Sequence, residues 1–299
     1  MDLLMWFRRK QSSYHDAPIE YKSRSKKDLK RTYTITCTTS PSRLKHLARN
    51  FVSMNPEHVY RIIVTIPERF RNDDIHGRYD PKDISKFQED LQKQGFRTVI
   101  RRTPYDYGPC LKLLGALEIA ADPEILVVID DDVLYHQDLL AWYDEAYDVL
   151  DLQHSGSVRP YVLSPEPIRV FGIPVSPGYL SFSVRKRWIQ MPQVYDSVMY
   201  YEKLHPRCLR HDDMTMGLSS VLIGLRHVSL QDLVNDISLK NPVYSLDVGF
   251  TSESLMYQGS TAVKSAWCAH AMYEDLFMCP LRPWTEDLSD RIIRWMFSK

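Results

Sequence analysis

Apolar and polar positions along the chain follow two periods that take turns. Residues 32–37, Thr-Tyr-Thr-Ile-Thr-Cys, are rich in β-branched side chains and predict a strand. Residues 38–42, Thr-Thr-Ser-Pro-Ser, are turn chemistry that also offers a helix cap, and Leu44, Leu47 and Phe51 give residues 43–54 a helical period. A second strand is predicted over 60–66, closed by Pro67, and a helix over 84–94 with Gly95 well placed to end it. A strand over 96–101, a helix over 111–121 and a strand over 124–129 continue the alternation. The last of these, Glu-Ile-Leu-Val-Val-Ile, is apolar without alternation, as expected of a strand covered on both faces.

Strands separated by helices in this rhythm predict an α/β, Rossmann-like, mostly parallel sheet with helices on both faces. Ligands of such sheets sit outside the carboxyl ends of the strands. Both the 38–43 turn and the aspartates Asp130, Asp131 and Asp132 fall at such ends. After a helix predicted over 138–152 the pattern breaks. Residues 160–177 hold five prolines, with Gly172 and Gly178 close by, and read as irregular, partly extended chain. Short strands follow, including 179–184, then a helix over 213–223 and a less regular C-terminal region. Residues 1–30 read as a polar, basic leader, a solvated arm ahead of a single domain over 31–299.

Composition narrows the class. At 299 residues, 44% hydrophobic and 25% charged, the chain can bury a sizeable core without disulfides or structural metal. Lys+Arg and Asp+Glu both number 38, so no global field points to nucleic acid, and none is expected as a partner. The five cysteines (Cys37, Cys110, Cys208, Cys268 and Cys279) are scattered without a CxxC pair, which argues for reduced thiols in a cytoplasmic setting. The apolar start, Met1 to Phe7, is far short of the roughly 20 residues that cross a bilayer, and no transmembrane segment is expected.

The chemistry gathers on the aspartates. Three adjacent carboxylates at the mouth of a buried strand repel one another, and desolvating them is unfavourable unless a cation compensates. Carboxylate oxygens suit Mn²⁺ or Mg²⁺, which can also bridge to phosphates. The bland alternative is a solvated turn that caps the following helix. A second acidic cluster, Asp212-Asp213 after His211, opens the helix predicted near residue 213, where carboxylates also act as caps.

An apolar strand, then Asp130-Asp131-Asp132, an apolar residue and a helix resembles the DxD motif of GT-A-fold glycosyltransferases. The resemblance covers roughly residues 32–275 and is strongest over 108–132; a fainter similarity runs to glycan-building enzymes of large algal viruses. It implies a nucleotide-sugar-binding half over 31–135 and a smaller, mixed acceptor-binding half over 136–299. It also implies metal-dependent transfer of a sugar from a nucleotide-sugar, UDP-sugar favoured, to a hydroxyl of a glycan or other acceptor, with inversion. Asp130 and Asp132 then hold the cation, with Asp130 and Asp131 also toward the nucleotide. Thr38, Thr39, Ser40 and Arg43 correspond to the family's first donor loop, where hydroxyls and a guanidinium meet ligand oxygens; a helix cap and a surface arginine are the alternative. Lys112, in the first turn of the helix after Gly108-Pro109, corresponds to a basic contact to the diphosphate, or else faces solvent. Tyr105 and Tyr107 are stacking or packing groups. Asp213, with Asp212 as the alternative register, corresponds to the general base that takes the acceptor's proton. His270 corresponds to a late histidine ligand of the metal, with His227 as a rival. Prolines and aromatic groups over 159–179, with Trp188, Trp267 and Trp284, suit a sugar-packing wall or the core. Three other classes compete: a sugar-nucleotide nucleotidylyltransferase, a non-catalytic carbohydrate-binding protein, and a two-metal phosphatase or nuclease. The first wants a glycine-rich loop after the first strand, which Thr38 to Ser42 lacks.

Overall fold

A computed structural model describes residues 25, 27–70, 77–153, 160–170, 173–176, 180–189, 192, 194–196, 198–199, 212–236 and 243–246. Strand β1 (Tyr33–Thr38) leads into helix α1 (Pro41–Leu47), which tightens into a 3₁₀ turn, Ala48–Phe51. Then come β2 (Val59–Pro67), α2 (Pro81–Lys93), β3 (Thr98–Thr103), α3 (Leu111–Ile119) and β4 (Ile125–Val128). Gly95 ends α2 at φ +92°, and the amide of Phe96 closes on the Leu91 carbonyl. The second half carries β5 (Val133–Tyr135), α4 (Leu139–Gln153), β6 (Tyr161–Ser164), the hairpin β7 (Ile168–Val170) and β8 (Ile173–Val175), and β9 (Phe182–Arg185). It continues with α5 (Asp212–Leu222), β10 (Arg226–Ser229) and β11 (Val243–Leu246).

Among the described residues the main sheet has seven strands in the order β10-β6-β9-β4-β1-β2-β3. Only β9 runs antiparallel, wedged between β4 and β6. The architecture is therefore α/β with a mostly parallel sheet. Side chains alternate between its faces. Ile35, Cys37, Val64 and Val127 pack with α1, α2 and α4, whereas Ile63, Leu126, Val128 and Val184 pack with α3 and α5. Helix α3, apolar almost all round, lies directly on β2. A Cβ on Gly115 would stand 2.1 Å from the Thr65 hydroxyl, so only glycine permits that approach.

Strand β4 therefore sits mid-sheet between β9 and β1, covered on both sides. The end of the basic leader, just ahead of the amino end of β1, is tied down along α4: Arg31 meets Asp144, Asp148 and Asp151, and Lys30 meets Asp148. That part of the run lies against an acidic helix face instead of being fully solvated. No helix among the described residues is long and apolar enough to cross a membrane.

Candidate functional site

Ile129, at the end of β4, is still buried, and the next three residues turn out of the sheet as Asp130, Asp131 and Asp132 before β5. The turn is pinned from several sides. The Tyr135 hydroxyl accepts from the Asp130 amide at 2.8 Å, and Asn50 donates to the Asp131 carbonyl at 2.6 Å. Ser53 donates to the Tyr135 carbonyl at 2.9 Å. Asn50, Ser53 and Tyr135 are all buried, so this is a built turn and not a solvated one. None of the three stood out in the sequence. Asn50 and Ser53 lie next to the apolar positions of a helical period, and the only trace was two polar residues beside Phe51.

Two cations converge on the carboxylates. Lys112, 3% exposed at its side chain, reaches Asp130 at 2.6 Å; the alternative of a solvent-facing lysine is overturned by its burial in the first turn of α3. Arg43 reaches Asp131 at 2.8 Å and Asp132 at 3.6 Å. Burial opposes the charge on Arg43, but Asp131 and Asp132 hold its guanidinium above the ordinary value. Among the described residues, three carboxylates against two cations leave a net negative charge, and it is felt at Asp132. Burial, followed by the charges of Asp131 and Asp130, pushes its carboxyl up to about 7 despite 31% exposure of the side chain. The charge strain reaches neighbouring groups. Burial, then Asp131 and Asp130, pushes the Cys37 thiol upward, and burial with Asp131 and Asp106 does the same to Tyr79.

The first loop is arranged differently from a cap. Ser40 begins α1 without a side-chain hydrogen bond to the helix and pairs instead with the Ser42 hydroxyl at 3.0 Å. Thr38 donates to the Thr65 carbonyl at 2.7 Å, and buried Thr39 accepts from the Tyr79 hydroxyl through its carbonyl. Tyr107 is a packing group, hydrogen-bonded to Tyr195 at 2.9 Å, whereas Tyr105 is 63% exposed.

Among the described residues no three His, Cys, Asp or Glu side chains converge to hold a metal ion. The donor set still fits a hard divalent cation. Asp130 and Asp132 offer oxygen ligands, and the like charges that, after burial, raise Asp132 are ones a cation would relieve. His227, the rival ligand, does not belong to this site. Its ring nitrogens meet Ser176 at 2.8 Å and Ser220 at 2.6 Å, and β10 lies three strands from β4, roughly 14 Å away at the usual strand spacing. The backbone of Asp212 and Asp213 opens α5. His211, Phe171, Tyr179, Trp267, His270 and Trp284 lie outside the described residues.

No protein-family model matches the sequence, and no curated protein does. Several solved structures are similar in part. A mannosyltransferase, PcManGT, from Pyrobaculum calidifontis, in complex with GDP-Man and Mn²⁺, aligns at TM-score 0.49 and 14% identity, over 98% of this chain and 75% of its own. Glucosyl-3-phosphoglycerate synthase from Mycobacterium tuberculosis, in complex with UDP, aligns at 0.42 and 13%, over 87% and 88%. The galactosyltransferase LgtC, with donor and acceptor sugar analogues, aligns at 0.44 and 10%, over 86% and 99%. At such scores and identities, any activity assigned to the chain rests on its own side chains.

Proposed function

We propose that the chain is a divalent-cation-dependent glycosyltransferase that moves a sugar from a nucleotide-sugar, UDP-sugar favoured, to a hydroxyl of a glycan or other acceptor, with inversion. One observation carries this reading: three carboxylates and two partly or wholly buried cations meet at the carboxyl end of β4. Such a mixed set suits a diphosphate, whose oxygens need both a metal and positively charged donors. Asp130 and Asp132 are the side chains that would hold Mn²⁺ or Mg²⁺. The bound cation would neutralise charge on the departing diphosphate.

The remaining work falls to the chain. In the reaction the acceptor oxygen bonds to the anomeric carbon while the bond from that carbon to the diphosphate oxygen breaks, and its electron pair leaves with the diphosphate. Lys112 and Arg43 sit beside the aspartates, where that negative charge develops, and stabilise it. The acceptor's proton passes to a carboxylate; Asp213 is assigned that role, with Asp212 as the other member of the pair. Their placement at the start of α5 supports this, because α5 packs against the Gly108–Cys110 turn that leads into Lys112's helix.

The test is a screen of nucleotide-sugars for Mn²⁺-dependent cleavage to nucleoside diphosphate and free sugar. At least one donor is expected to be cleaved with Mn²⁺ and spared with EDTA. Pyrophosphate release from a nucleoside triphosphate and a sugar 1-phosphate would make the chain a nucleotidylyltransferase. Failure to cleave or bind any donor would leave a non-catalytic protein.

A further inference from the structure

Away from the aspartates, one half-buried histidine is hydrogen-bonded at both ring nitrogens. His227, in the middle of β10, lies between two serines from different elements. Ser176 follows β8, and Ser220 lies in the last turn of α5. The Ser220 hydroxyl donates to the Gly217 carbonyl at 2.6 Å, so its oxygen accepts from the ring Nε2–H. The other ring nitrogen, Nδ1, is thereby an acceptor and takes the Ser176 hydroxyl. Each group in the chain Ser176–His227–Ser220–Gly217 has one assigned direction, and removing the ring takes the acceptor from the buried Ser176 hydroxyl and a donor from the buried Ser220 oxygen.

The same two elements touch at a second point. Gly217 faces Val175, and a Cβ on that glycine would stand 2.8 Å from the valine Cβ, so α5 and β8 meet at backbone distance. The small cavity beside these contacts is lined by Leu113, the neighbour of Lys112, and by Met216 of α5. Helix α5 thus packs on β8 on one side and on the Gly108–Cys110 turn that leads into α3 on the other.

We propose that His227 is a positioning residue: it latches the β7–β8 hairpin to α5, so that hairpin and helix move as one body and the start of α5 is held toward the donor site. The latch is a physical claim about these segments; its consequence for turnover rests on the glycosyl-transfer reading. His227 touches no reacting atom in this scheme, and its effect passes through α5.

The experiment compares the full chain with His227→Leu, an apolar replacement of similar volume. Hydrogen exchange is read over residues 168–176 and 212–222, alongside Mn²⁺-dependent cleavage of the donor found active and calorimetric binding of UDP with Mn²⁺. The latch predicts that exchange rises together in the hairpin and in α5 but not in β1–β3, and that kcat falls about tenfold or more with UDP affinity within twofold of the parent. Unchanged exchange in both segments, or a rise in one alone, overturns the latch. Unchanged kcat with raised exchange overturns its positioning role. Should His227→Leu fail to fold, Gly217→Ala and the pair Gly217→Ala/Val175→Ala decide: the single change should raise exchange in both segments and the pair restore it, and absence of restoration contradicts the proposal. A parent that cleaves no donor would sink the glycosyl-transfer reading alone, because the exchange data still judge the latch.

Discussion

Asp132→Ala is expected to lower Mn²⁺-dependent donor cleavage by a factor of about a hundred or more, the several kcal/mol that a metal contributes at a leaving diphosphate. Asp132 is singled out because Asp130 is already held by Lys112 and Asp131 by Arg43, whereas Asp132 reaches Arg43 only at 3.6 Å. The fold should not suffer. Its carboxyl is pushed up to about 7 by burial and by Asp131 and Asp130, so the ionised form is less favourable in the folded chain than in the unfolded one. A carboxyl whose folded value lies above its unfolded value near 3.8 favours folding at low pH. That advantage disappears as pH rises through 4 to 7, and above 7 the ionised group burdens the fold. The neutral variant Asp132→Asn should accordingly be more stable than the parent at pH 8 without divalent cations, by about 1–2 kcal/mol after allowance for the group's partial exposure. The two should converge at pH 4. With Mn²⁺ and UDP present the order should reverse, because the parent alone gains binding energy. Thermal melts across this pH range, with and without Mn²⁺ and UDP, check both signs. A variant no more stable at pH 8, or one still activated by Mn²⁺, would contradict the assignment.

Lys112→Met should separate metal from nucleotide. The parent side chain is buried and paired with Asp130 at 2.6 Å, so the variant leaves three carboxylates with Arg43 as their closest remaining cation among the described residues. Affinity for Mn²⁺ alone is then expected to rise, since the site becomes more negative. Affinity for UDP in the presence of Mn²⁺ is expected to fall about tenfold to a hundredfold, the 1.5–3 kcal/mol typical of a hydrogen bond from a charged donor. Opposite movements of the two affinities would be hard to produce by unfolding. Calorimetric titration of each ligand reads them directly, and parallel movements would show that Lys112 is structural only.

Much of this site was legible before the structure because its strongest signals are local. The unbroken Ile125–Val128 run marks a strand covered on both faces, and a charged triplet directly behind it has to lie at a strand end. Gly95 ended its helix as its position predicted. Long-range features left weaker traces. The helix expected to run to residue 54 stops at Leu47 and continues as a 3₁₀ turn; Asn50 and Ser53 just beyond it serve the aspartate turn, 81 and 82 residues away. The antiparallel wedge of β9 depends on pairing with two strands distant in sequence, and no local period announces it. The burial of Lys112 did have a signal. Residues 111–119 are apolar on nearly every face, the mark of an interior helix, and a lysine there needs a partner inside the protein.

The direct test of the central claim is a calorimetric titration of UDP into the parent chain with Mn²⁺ and with EDTA, repeated on Asp132→Ala. The aspartate site predicts saturable binding that requires Mn²⁺ and is lost in the variant. Binding of equal strength in EDTA, or equal strength in Asp132→Ala, would contradict it.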